Sequence, residues 1–205
     1  NAIRDSNSYV SGTAAAHSMI KPEHVDHILK YGSVRDIGTV LNSSAAVTPE
    51  HIKTVMHSND PRFTPSVKRY AALHPNASHE NIMDALKIGD PGLQYDILEN
   101  HHNLGKEHLD YLLKHTRDDD ENLAAISRHP SLHPEHITSI LNRPKLSKNL
   151  FAQRIKQQLA SHPNLTTEHM EHLTKADDNT TRIRRTIVTR SDVPAHVLSH
   201  VIRHD

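Results

Sequence analysis

The chain has 205 residues, with 24 basic and 24 acidic side chains, so no global field draws it to nucleic acid or to an anionic lipid surface. It has no cysteine, which excludes disulfides and thiolate metal sites. No apolar stretch reaches bilayer length and no charged-then-apolar leader opens the chain, so the sequence reads as cytoplasmic, with no membrane partner.

The predicted elements alternate between two short helix types, A and B. The first is a helix B on Val10 and Ala14, followed by His17 in a turn. Helix A then starts near 22 at Pro22-Glu23-His24-Val25 and carries Val25, Ile28 and Leu29 on one stripe; Ile37 and Leu41 mark the next helix B. The phrase returns as Pro49-Glu50-His51-Ile52, where Thr48 suits the N-cap, Pro49 the first helical position and Glu50 the positive helix end. Its stripe is Ile52, Val55 and Met56, its helix B carries Val67 and Ala71, and His74-Pro75-Asn76 closes that helix because the residue before proline avoids the α region.

Helix A recurs near 79 with Ile82, Ala85 and Leu86, and near 106 with Leu109, Leu112 and Leu113; Leu98 and Ile126 mark the helices B that follow. After His129-Pro130-Ser131, a helix A near 134 carries Ile137, Ile140 and Leu141, and Ile155 and Leu159 lie on its helix B. After His162-Pro163-Asn164, a helix A near 167 carries Met170 and Leu173, and Ile183 and Ile187 fit helix B after a one-residue deletion. The last helix A starts near 194 and spans Val197 to Val201. Apolar residues Val47, Leu132 and Leu165 precede the caps, as a hydrophobic staple requires. Successive reference positions are 27, 30, 27, 28, 33 and 27 residues apart. Each unit would bury its apolar face against its neighbours, so the expected fold is all-α: a right-handed α-solenoid of about seven two-helix repeats of 27–33 residues. Residues 1–205 form a single array with half-repeats at both ends, which reads as a segment of a longer protein.

The unit His-Pro-Asn-Leu-Thr-Thr-Glu-His-Met at 162–170, with an apolar-basic step at Val67-Lys68, Ile155-Lys156 and Ile183-Arg184, resembles the leucine-rich repeat variant class. These are two-helix units akin to HEAT repeats, and strings of them resemble arrays in tailed-phage proteins. The resemblance implies an interaction scaffold, in the host cytoplasm if phage-encoded, and says almost nothing about activity. This chain departs from the family by placing His where the turn usually carries Asn before Pro.

Eleven of the 20 histidines occupy two repeat positions. His24, His51, His108, His136, His169 and His196 fall in the first turn of helix A; His17, His74, His101, His129 and His162 fall in the turn after helix B. They are expected to form a solvent-facing edge. Rows about 10 Å apart cannot converge on one metal ion, and no His-Glu-x-x-His motif is present, so neither metal nor cofactor is expected. If the edge responds to pH, the helix dipoles should separate the rows, favouring imidazolium in the turns and opposing it in helix A.

Two long A-to-B connections, 59–65 and 142–148, mark the face where insertions are accepted, often the binding face. Residues 1–139 carry 13 basic against 18 acidic side chains and residues 140–205 carry 11 against 6, so an anionic partner would prefer the latter part. Its candidate binding residues are Arg143, Lys145, Lys148, Arg154, Lys156, Arg182, Arg184 and Arg185. No nucleophile elbow or phosphate loop occurs, so no catalytic residues are assigned and the chain is not expected to be an enzyme. The expected function is a non-catalytic scaffold binding another protein, or another part of a longer chain, through its concave helix face or its A-to-B loops. A nucleic-acid-binding solenoid is the alternative, and a histidine-rich metal or pH-responsive module a third.

Overall fold

The structure, a computed structural model, describes residues 17, 19–117, 121–144, 150–175 and 181–204. Among the described residues there are thirteen helices and no strand, so the chain is all-α. It divides into two compact units that meet in sequence between His101 and His102.

The first unit contains α1 (Pro22–Tyr31), α2 (Val34–Ser43), α3 (Pro49–His57), α4 (Pro65–Ala72), α5 (His79–Lys87) and α6 (Pro91–Asn100). Helices α1, α3 and α5 start where type A is expected, and the others are type B. Within each pair the helices pack as a hairpin, while α2 lies on α4 and α3 on α5. The second unit contains α7 (Lys106–His115), α8 (Glu121–Ser127), α9 (Pro134–Leu141), α10 (Leu150–Ala160), α11 (Thr167–Lys175), α12 (Thr181–Val188) and α13 (Ala195–His204). Here α7 packs on α9 and α11 on α13, while α8, α10 and α12 follow one another. In these pairs like packs on like. The helix B expected on Val10 and Ala14 lies outside the described residues.

The stripes account for the core. Ile28, Val55, Leu86, Leu112 and Ile140 of helices A are buried, as are Leu41, Ala71, Leu98, Ile126, Leu159 and Ile187 of helices B. The staple residues Val47, Leu132 and Leu165 are buried too. Helices this short are marginal alone, so their stability comes from this packed face. Caps set the boundaries: the Ser78 hydroxyl accepts the Asn81 N–H at 3.2 Å, and the Asp90 carboxylate accepts the Leu93 N–H at 2.7 Å. Between α5 and α6 the chain turns in three residues, Ile88 to Asp90, with Gly89 at φ 76°, a conformation that glycine adopts without a Cβ clash. Ser78→Ala should lower stability by about 1 kcal/mol, read as a lower urea midpoint with unchanged slope.

Candidate functional site

Most of the repeated histidines are not a solvent-facing edge. His51, His108, His136 and His169 in helix A, and His74, His129 and His162 in the turns, are all buried. The physical reason is that each ring supplies a backbone acceptor where the chain needs one. In helix A, Nδ1 accepts the N–H of the residue three positions earlier: Lys21 to His24 at 3.1 Å, Thr48 to His51 at 3.0 Å, Gly105 to His108 at 3.0 Å, His133 to His136 at 3.0 Å and Thr166 to His169 at 3.1 Å. This is the return half of a capping box, usually supplied by Glu or Gln. Asn81 does the same with its side-chain oxygen, 3.0 Å from the Ser78 nitrogen.

In the turns the ring folds over its own proline bend. Nδ1 of His74 accepts the Asn76 N–H at 3.0 Å, His129 accepts that of Ser131 at 3.2 Å and His162 that of Asn164 at 3.1 Å. Because Nδ1 is an acceptor, the proton of a neutral ring sits on Nε2. That atom reaches across to the preceding repeat. His74 donates to the Ser44 carbonyl at 3.1 Å, His101 to that of Ala72 at 2.9 Å and His162 to that of His129 at 3.0 Å. In helix A, Nε2 meets Asp26 from His51 at 3.1 Å, Asp110 from His136 at 3.1 Å, the Thr138 hydroxyl from His169 at 2.8 Å and Glu171 from His196 at 2.9 Å. One imidazole thus closes a local bend and ties two repeats together.

Burial acts on both rows of histidines in the same direction. Removal from water pushes His74 and His162 in the turns below the ordinary histidine value, and does the same to His136 and His169 in helix A. Desolvation is the largest cause in all four and disfavours the charged ring.

The long connections also carry structural side chains. Arg62, held by Asp60, donates to the carbonyls of Gly32 at 2.9 Å and Leu29 at 3.1 Å, capping the C-terminus of α1. Arg143 does this for α7, donating to the carbonyls of Thr116 at 2.9 Å and of Leu113. The apolar-basic step has a related use: Lys68 donates to Met56 O at 3.0 Å and Arg184 to Thr174 O at 3.3 Å, each at the end of the preceding helix A. The carbonyls left open at a helix end explain the basic residue there.

These contacts alter how the candidate basic residues read. Arg143 and Arg184 cap helices, Lys156 is buried, and Arg154 faces Glu121 at 3.7 Å. Arg182 and Arg185 are exposed, and Lys145 and Lys148 lie outside the described residues.

Sequence reasoning missed a cleft in the first unit. Met56 at the end of α3, Phe63 and Pro65 from the long connection, Ile88 after α5 and Leu93 of α6 line a cavity of about 470 Å³, with Lys68, Arg69 and Asp90 among its polar lining residues. Its volume falls within the roughly 300–1,000 Å³ of ordinary ligand pockets. Ile88 is 53% exposed, unusual for a large apolar side chain that already has apolar neighbours. The signal was available in the inserted Phe63 and in the short Ile88-Gly89-Asp90 connection, but only folding brings the two together. No protein-family model, curated protein or solved structure matches the chain.

Proposed function

We propose that the chain is a non-catalytic right-handed α-solenoid of about seven two-helix repeats, and that it binds a segment of a partner protein through the cleft between α3–α4 and α5–α6. The single observation behind this reading is that cleft, which has an apolar lining, an exposed Ile88 and one wall supplied by an inserted A-to-B connection. Apolar clefts with a few polar groups beside them are where bulky side chains of a partner anchor. The occupant is a peptide segment presenting one large apolar residue. No helix among the described residues is long and apolar enough to cross a membrane, in keeping with a protein partner.

The nucleic-acid reading has less behind it. Of the eight basic candidates only Arg182 and Arg185 stand exposed without an ion pair or helix-capping contact among the described residues, and neutralising few phosphates yields weak, salt-sensitive binding.

Selection from a displayed random-peptide library, followed by affinity measurement, tests the proposal. Selected peptides should share a large apolar residue and lose at least about tenfold in affinity on Ile88→Asp, a surface change that leaves the core intact. Filter binding of DNA and RNA to wild type and to an Arg182→Glu, Arg185→Glu variant forms the second arm. Nucleic-acid binding abolished by that variant, with no peptide affected by Ile88→Asp, overturns the reading.

A further inference from the structure

We infer that the histidine stitches make the packing of one repeat on the next acid-labile, because proton uptake at Nδ1 removes the acceptor that each cap and turn requires. The inference rests on geometry and is independent of the proposed cleft. A neutral ring with its proton on Nε2 satisfies two groups at once, the local N–H and the acceptor of the preceding repeat. An imidazolium has donors on both nitrogens, so Nδ1–H would point at a backbone N–H about 3 Å away. The ring must then leave its site, breaking the local bend and the inter-repeat bond together.

The surroundings of four rings set the strength and sign of the effect. His74 is flanked by the Ser44 carbonyl and by the His101 ring, whose charge would oppose its own. His162 lies between the His129 carbonyl and Arg190, a permanent cation that donates to the His162 carbonyl at 2.9 Å. His136 faces Asp110 and Glu135, which favour its charged form, and Lys106, which opposes it, with the His133 ring edge-on beside it. His169 faces Glu168, which favours charge, and His172, which opposes it, with Thr138 as its hydrogen-bond partner. Burial is the largest influence on all four and disfavours the proton.

A histidine whose folded pKa lies below its unfolded value binds fewer protons folded than unfolded. Its contribution is complete above about pH 6.5 and is lost as pH falls toward the folded pKa. Carboxylates titrate lower: Lys106 holds Glu135 down to about 2, and Glu171, Asp60 and Asp192 are shifted downward too. The window from pH 6.5 to 5 therefore isolates the histidines.

The chain supplies its own non-titrating controls. In helix A, Asn81 provides the same acceptor as the histidines; in the turns, Ser44 Oγ accepts the Ala46 N–H at 3.3 Å where His74 uses Nδ1. A variant with His136→Asn, His169→Asn, His74→Ser and His162→Ser keeps an acceptor at each bend and loses the titration.

Urea unfolding of the full chain from pH 8 to 5 tests this. In wild type each of the four rings should contribute up to about a tenfold loss of the folding equilibrium constant per pH unit below 6.5. The variant, compared with its own value at pH 8, should lose that part of the slope. An equal slope in both proteins overturns the inference. Should the variant not fold, imidazole ¹⁵N spectra of the wild type decide: the four rings should remain Nε2–H tautomers in folded protein at pH 6. Rings that protonate near pH 6.5 while the native spectrum persists also overturn it.

Discussion

Truncating Leu112 to alanine is expected to destabilise the second unit by about 2–5 kcal/mol, the range for removing a buried leucine and leaving part of the cavity open. Leu112 lies on the inner stripe of α7 and is fully buried. Helix α7 packs on both α8 and α9, so the side chain belongs to the contact inside one repeat and to the contact with the next. Helix α7 is held against α8 and α9, helices of 7 and 8 residues, which limits collapse into the gap. Leu112→Ile, which conserves volume, should cost less than about 1.5 kcal/mol. Urea denaturation at pH 7.5 measures both. A loss below about 1 kcal/mol for Leu112→Ala would mean that this stripe is not the core.

The stripes were legible because burial in a two-helix unit depends on a spacing that does not change from copy to copy. Val25, Ile28 and Leu29 occupy the same places as Ile52, Val55 and Met56, and all six are buried. Starts of helix A could be read for the same reason: cap, proline and acidic residue are local chemistry, and the helices begin at Pro22, Pro49, His79, Lys106, Pro134, Thr167 and Ala195. The burial of the histidines is not legible in the sequence, because a polar residue at a helix start ordinarily faces solvent, whereas these rings are buried. A capping box written with His does not match the Glu or Gln form of the rule, although Asn81 at the same position was a clue that an acceptor, not a charge, is required. The helix-capping contacts of the basic residues are hidden from the sequence for a related reason. Arg143 and Arg184 look like a patch in one dimension, and only the fold places each against the open carbonyls of a helix end. The cleft was the least legible feature, since its walls come from segments more than twenty residues apart, such as Phe63 and Ile88.

His162→Ala is expected to cost about 2–3 kcal/mol at pH 7.5, a large effect for a polar residue. The ring makes two bonds, from the Asn164 N–H and to the His129 carbonyl, each contributing roughly 0.5–1.5 kcal/mol net, and its removal leaves a hole in a nearly closed site. The two groups that lose the ring differ. Asn164 is exposed and its N–H can be rehydrated, while His129 is buried and its carbonyl, left with the Leu132 N–H at 3.0 Å, loses a second donor that water replaces poorly. Most of the loss should therefore come from the inter-repeat bond. Asn164 supports the same junction through its side chain, which donates to the Leu132 carbonyl at 2.8 Å, so the turn keeps one tie when the ring is gone. His162→Ser restores an acceptor of the Ser44 kind but no reach to His129, and should recover at most about 1 kcal/mol. A double-mutant cycle of His162→Ala with Asn164→Ala separates the two ties: shared work at one junction gives a coupling of at least about 0.5 kcal/mol. Additive losses would mean that ring and amide hold the turn independently, and a His162→Ala cost under about 0.5 kcal/mol would mean that the histidine is a passenger there.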